Sequence, residues 1–218
     1  MSQFIDLSHV IEDGMITYNG LPGPVINDHM SREDSESHYS DGTTFQIGTL
    51  KMVANTGTYI DAPFHRYAKG VDLCGLKMTS IANLDGVVFR ADQGTRSIDK
   101  DLFDNVNIKD KAVLINTGWD RHWRSDAYFE NHPFLTRDAA EYLKSSGAAL
   151  VGIDSLNIDD TADGSRPAHS ILLKAEIPIV EHMCHLDILP GKGFKFFAVP
   201  APVQGMGSFP VRAFAIVD

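Results

Sequence analysis

The sequence predicts an α/β fold, a mixed central β-sheet with flanking helices, and three observations carry that prediction. Thr136 stands as an N-cap before residues 137–146, Gly147 follows as the residue that closes the helix, and residues 148–153 return at once as an apolar strand. Residues 86–91 and 112–117 are apolar runs with the length of buried strands. The chain of 218 residues is 43% hydrophobic and 22% charged, a globular composition large enough for one core, and one domain over 1–218 is expected.

The remaining elements follow in order. Residues 4–11 begin with apolar and polar side chains in alternation, which predicts a first strand. Gly20, Pro22, Gly23 and Pro24 predict irregular chain over 15–28, and the polar run at 31–42 predicts a mobile surface loop able to act as a lid. Residues 44–53 alternate again and lead directly into 55–61. After the central helix and strand, residues 154–164 predict a solvated loop; Asp154, Asp159, Asp160 and Asp163 lack the Gly and Glu order of a calcium-binding EF-hand. Pro167 suits the first turn of a helix that buries Leu172 and Leu173. Residues 177–181, 194–199 and 211–217 predict three further strands.

Charge and cysteine content exclude several classes. A formal charge of −10 repels phosphate backbones, and no Lys/Arg cluster reverses it locally, so no nucleic-acid partner is expected. No basic residue precedes Arg32 and no apolar run approaches the roughly 18 residues of a membrane span, so a cytoplasmic protein with no membrane partner is expected. Two cysteines, Cys74 and Cys184, supply neither a disulfide framework nor a zinc ribbon and are read as reduced, mostly buried thiols. A nucleophilic Cys184 flanked by His182 and His185 is the alternative. The GxSxG elbow and the glycine-rich phosphate loop are both absent.

The stretch Asn55-Thr-Gly-Thr-Tyr-Ile-Asp-Ala-Pro-Phe-His65 concentrates the polar chemistry. In an extended chain Asn55, Gly57, Tyr59 and Asp61 would share one face, and Pro63 would let His65 swing back toward it. Read from spacing alone, a structural turn and a site both remain open.

The same stretch resembles the signature His-x-Gly-Thr-His-x-Asp-x-Pro-x-His of the metal-dependent cyclase superfamily, which includes kynurenine formamidase-like and isatin hydrolase-like proteins. Gly57, Thr58, Asp61, Pro63 and His65 are in register with it, while Asn55 and Tyr59 stand where the signature has histidines. His169 and Glu181, twelve residues apart, match the family's downstream ligand pair, and residues 151–155 and 200–212 extend the resemblance over nearly the whole chain. The resemblance implies a cyclase-family, swivelling β/β/α-like fold and a homo-oligomer, dimer or tetramer. It also implies a metal held by Asp61, His169 and Glu181, with His65 as the acid/base.

Asn55 offers only a hard carbonyl oxygen and Tyr59 a neutral phenol, so the expected cofactor is one divalent metal (Mn, Zn or Mg) rather than two, with a metal-free site as the alternative. The expected activity is a hydrolase or cyclase acting on a small cyclic amide, lactone or N-acyl substrate, with His65, Tyr59 and Asp61 catalytic. Tyr59 would donate to an oxyanion, and Tyr18, Phe45 and Asn55 would line the substrate pocket. The alternatives are proton-transfer, cyclisation or dehydration chemistry without metal, and a binding protein whose centre has decayed. His182 and His185 are read as surface or capping residues, Asn116–Trp119 as a source of pocket polarity or a plain turn, and Gln204 as close to the site without an assigned role.

Overall fold

The computed structural model describes residues 2–218. Its first strands are β1 (Gln3–Asp6), β2 (Val25–Met30), β3 (Ile47–Lys51), β4 (Tyr59–Asp61), β5 (Leu84–Arg90), β6 (Ser97–Ile98) and β7 (Ala112–Asn116). They are followed by β8 (Phe134–Leu135), β9 (Leu150–Ile153), β10 (Ile179–Glu181), β11 (Lys192–Phe197), β12 (Ser208–Pro210) and β13 (Phe214–Val217). The α-helices are α1 (Arg32–Ser35), α2 (Arg137–Ser145) and α3 (Pro167–Lys174).

Nine strands form one mixed sheet in the order β1-β13-β11-β5-β7-β9-β10-β4-β12. Its centre, β5 to β10, is parallel, and both flanks are antiparallel. Every residue of β7 is buried, as expected for a parallel strand covered on both faces. Alternation splits this strand between two cores. Val113 and Ile115 pack with Ala140 and Leu143 of α2 and Leu172 of α3, whereas Leu114 packs with Ile60, Leu150 and Phe196 on the opposite face. Each such fully buried side chain contributes about 1.5–3 kcal/mol by leaving water.

The helices start and stop for local reasons. Thr136 Oγ1 accepts from the Ala139 N–H at 3.2 Å, and Gly147 leaves α2 with a φ of +77°, a conformation that strains any residue bearing a Cβ. Pro167 opens α3, where its missing N–H leaves no unpaired donor. No helix among the described residues is long and apolar enough to cross a membrane.

Five local expectations need correction. The stretch 55–61 is not extended throughout: Gly57 sits at φ +63°, and only Tyr59–Asp61 joins the sheet, so one-face alternation holds for Tyr59 and Asp61 alone. The expected loop at 31–42 contains α1, capped by Ser31 Oγ accepting from the Asp34 N–H at 3.0 Å. The irregular region ends at Val25, where β2 pairs with β3 in a ribbon whose residues are nearly all exposed. The C-terminal segment makes two strands; β12, absent from the sequence reading, adds to the sheet edge beside β4. Cys74, expected to be buried, is exposed.

Candidate active site

The register of three strands lines up the polar side chains. Across the β4–β10 pair Tyr59 faces Glu181, and across the β4–β12 pair Asp61 faces Ser208. Directly opposed residues share a sheet face with Cβ atoms about 5 Å apart, so all four converge. Pro63–His65 then forms a 3-10 turn that carries His65 back over this face. Gly207 permits the approach, because a Cβ there would lie 2.3 Å from the His65 backbone nitrogen.

His65, Ser208 and Asp61 form a chain of hydrogen bonds. Ser208 Oγ donates its only proton to Asp61 Oδ1, so at 2.8 Å it accepts from His65 Nδ1. In the neutral ring this places the proton on Nδ1 and leaves the Nε2 lone pair available as a base. The His65 side chain is 36% exposed while that of Asp61 is fully buried, so His65 is the member that can meet a substrate.

His169 enters from the first turn of α3. Asp159 accepts from the backbone N–H groups of Ala168 (2.6 Å) and His169 (3.0 Å) and from His169 Nδ1 (2.7 Å). The opposite ring nitrogen, Nε2, lies 3.5 Å from Asp61 Oδ2 and 3.7 Å from Glu181 Oε1. Burial alone would lower the His169 imidazole, but Glu181, Asp159 and Asp61 outweigh it and push the pKa up to about 10.

Glu181 is held tightly. Its Oε2 accepts from the Tyr59 hydroxyl at 2.5 Å and its Oε1 from the Ile158 N–H at 2.6 Å. Tyr18 completes this corner, its hydroxyl 2.9 Å from that of Tyr59 and 2.8 Å from the Leu156 carbonyl. Burial first, then the Glu181 charge, raises the Tyr59 phenol well above its usual pKa, so it keeps its proton. That proton is committed to Glu181, which corrects the expectation of an oxyanion donor.

A cavity of about 270 Å³ opens over the cluster, and Tyr18, Asn55, Tyr59, His65, His169 and Glu181 are among the residues that line it. Phe45 is not among its walls: it is 51% exposed and packs edge-on against Tyr39.

The Cyclase family model, described as "Putative cyclase", matches residues 5–160, most of the chain. This chain belongs to the Cyclase family. As a member it is an enzyme of the hydrolase and cyclase superfamily. It is 27% identical to a kynurenine formamidase of Bacillus thuringiensis (strain Al Hakam) over 221 residues, covering 97% of this chain and 96% of that one. It is 26% identical to a kynurenine formamidase of Geobacillus thermodenitrificans (strain NG80-2), over 98% of this chain and 97% of that one. Among solved structures, an isatin hydrolase bound to the product analogue thioisatinate superposes with a TM-score of 0.82 at 22% identity, covering 99% of this chain and 92% of that one. A potential metal-dependent hydrolase with cyclase activity gives 0.82 at 24% identity, over 100% and 99% of the two chains. These likenesses confirm the cyclase-family fold.

The donor set of this Cyclase member fits one divalent cation. Asp61 Oδ2 is buried without a hydrogen-bond partner, and His169 Nε2 faces it because Nδ1 is engaged by Asp159. One ligand atom each from Asp61, His65 and His169 lies within 4.8 Å of the others. The bond from Nδ1 to a carboxylate is the usual way a metal-binding imidazole is oriented. Glu181 is adjacent to this set, with each oxygen already accepting a hydrogen bond. At the position of the other signature imidazole, Tyr59 presents a protonated phenol.

Other expectations resolve differently. His182 is not a surface residue: it is fully buried, with Nδ1 2.9 Å from the Tyr128 hydroxyl. His185 is exposed and stands at the N-cap position of the 3-10 turn Leu186–Ile188 without a side-chain capping bond. Burial pushes the Cys184 thiol up to about 12, which removes it as a nucleophile. Asn116, Thr117 and Gly118 all donate to the buried Asp154 carboxylate and bring no polarity to the cavity. Asp154 and Asp159 are both fully buried, so the loop expected to be solvated is partly internal. Gln204 does not line the cavity.

Sequence reasoning missed Ser208, Asp159, Asn157, Arg66 and Arg166. The ten-residue interval from Asp159 to His169 was the one available hint, since a helix begins between them.

Proposed function

We propose that the protein hydrolyses a small amide, N-acyl compound or lactone, with His65 as general base and acid. The hydrogen-bond chain from His65 through Ser208 to Asp61 carries this reading, because it leaves a free imidazole nitrogen directed by its partners at the mouth of the cavity. His65 Nε2 takes a proton from water as the water oxygen bonds to the carbonyl carbon. The same proton then passes to the leaving nitrogen or oxygen as its bond to that carbon breaks, giving a carboxylic acid and an amine or alcohol. The names of the kynurenine formamidase and isatin hydrolase relatives support amide substrates.

Asp61 and His169 would hold one divalent cation, with Glu181 as the third protein ligand and His65 left free as the base. Such a cation supplies Lewis acidity toward a carbonyl and acidifies water. A second reading, acid/base chemistry without metal, is favoured by one observation: the raised His169 can itself carry the positive charge among three buried carboxylates. Proton and cation compete for its Nε2. Elemental analysis of protein purified without chelator distinguishes the readings. About one equivalent of divalent metal, with activity lost on chelation and restored by the ion, is the expected result; full activity in metal-free protein would establish the second reading instead.

The protein is also read as a homo-oligomer. The β2–β3 ribbon leaves Val25, Ile26, Ile47 and Leu50 each more than 40% exposed, and an isolated two-stranded ribbon is only marginally stable in water. Light scattering is expected to give a mass of at least two chains; a monomer at micromolar concentration would refute this.

A further inference from the structure

We propose that the substrate bears a carboxylate and that Arg166 and Arg66 receive it, an inference that rests on the hydrolase reading and names its substrate class. Both arginines line the cavity. Arg66 directly follows His65, and Arg166 lies three residues before His169, so each guanidinium rides on the backbone segment of one active-site imidazole. A group bound by either is therefore fixed relative to the reacting centre.

Both heads are oriented but not saturated. Arg166 Nη1 donates to Asn157 Oδ1 at 3.2 Å, and Asn157 is itself buried. Arg66 Nε donates to Ser170 Oγ at 3.3 Å, with its guanidinium 5.4 Å from the centre of the Tyr67 ring. No other protein hydrogen bond engages either guanidinium among the described residues, and no carboxylate lies within 4.0 Å of either. In a chain with 29 acidic residues and a formal charge of −10, unpaired arginines are ordinary on open surface. Two of them on the wall of one small cavity are a different matter, because they offer paired positive charge there in a chain of opposite net sign.

The backbone adds a second observation. Arg166 occupies the left-handed region at φ 47°, ψ 63°, which is sparsely populated by residues with a Cβ, and it does so at the mouth of the cavity. Its conformation directs the chain into α3 while its side chain stays with Asn157.

Charge then sorts the ends of a ligand. Glu181 lines the cavity beside His169, with Asp61 and Asp159 buried behind it, so this end is less suited to an anion than the arginines are. The guanidinium forks match a planar carboxylate in two-point geometry. A bound substrate thus places its carboxylate at the arginines and its scissile carbonyl toward His65. At about 270 Å³ the cavity lies at the small end of ligand sites, which suits a compact N-acyl amino acid or a similar acid.

The test is equilibrium binding of a panel of small N-acyl amino acids, hippurate among them, against their carboxamides, which differ only in charge. Wild-type protein is expected to bind the carboxylates at least tenfold more tightly, and Arg166→Gln and Arg66→Gln each to bring that ratio toward one. Equal binding of both members by wild-type protein, or no binding of either, would overturn the proposal. So would inorganic phosphate displacing hippurate as effectively as a second carboxylate does. Binding is read without turnover, so the two readings fail separately: preference without cleavage removes the hydrolase, and cleavage without preference removes the carboxylate site.

Discussion

Replacing His65 by alanine is expected to lower kcat/KM for hydrolysis by roughly 10²–10⁴-fold, the range a positioned general acid/base contributes. The fold should barely respond. The side chain is partly exposed and bonded only to Ser208, so its loss costs about 1 kcal/mol. The informative comparison is Ser208→Ala. Ser208 touches no substrate in this reading; it holds the His65 tautomer and ties it to Asp61. Its removal should produce a smaller loss, of order tenfold, and the double variant should be no worse than His65→Ala alone, because groups acting as one unit are not additive. Steady-state kinetics on the three variants, with thermal unfolding as a control, settles the point. A His65→Ala enzyme within threefold of wild type would remove the acid/base assignment.

What could be read from the sequence divides along a physical line. The elements of the sheet centre are local: residues 112–116 and 150–153 are apolar runs, and Thr136 and Gly147 punctuate the helix between them, so each was legible without knowing its neighbours. The site is partly so. Asp61, His65, His169 and Glu181 were found through the resemblance, and the fold brings them together. Ser208 was invisible because its meaning comes from register: it opposes Asp61 only once β12 adds to the edge of β4, 147 residues along the chain. Asp159 reads as a solvated loop residue because the sequence does not say that α3 turns its N-terminal amides onto it. Phe45 failed for the opposite reason. An aromatic in a predicted strand reads as pocket lining, yet the ribbon ahead of it stands off the sheet and leaves it in solvent.

Replacing His169 by alanine is expected to destabilise the protein by about 3–5 kcal/mol, the range for removing one partner of a buried ion pair. Asp61, Asp159 and Glu181 are fully buried, and His169 lies within 3.7 Å of an oxygen of each. Among the described residues no lysine or arginine lies within 4.0 Å of them, and the one further imidazole in range is the more exposed His65, 3.6 Å from Asp61. Three carboxylates left together must take up protons or water, and either response opens the interface between α3 and the sheet. In a chain of this size the loss should lower the midpoint of thermal unfolding by roughly 10 °C. If buried charge is the cause, removing a second charge should relieve the first loss, so His169→Ala with Glu181→Gln should be more stable than His169→Ala alone. If lost packing were the cause, the double variant would be no better. Replacing a whole buried ionic cluster by apolar side chains is often neutral or stabilising, so folding alone does not call for this one. A loss below 1 kcal/mol in the single variant would mean that water already reaches the cluster. The charges would then be solvated rather than held, and the positive centre between Asp61 and Glu181 would lose its physical basis.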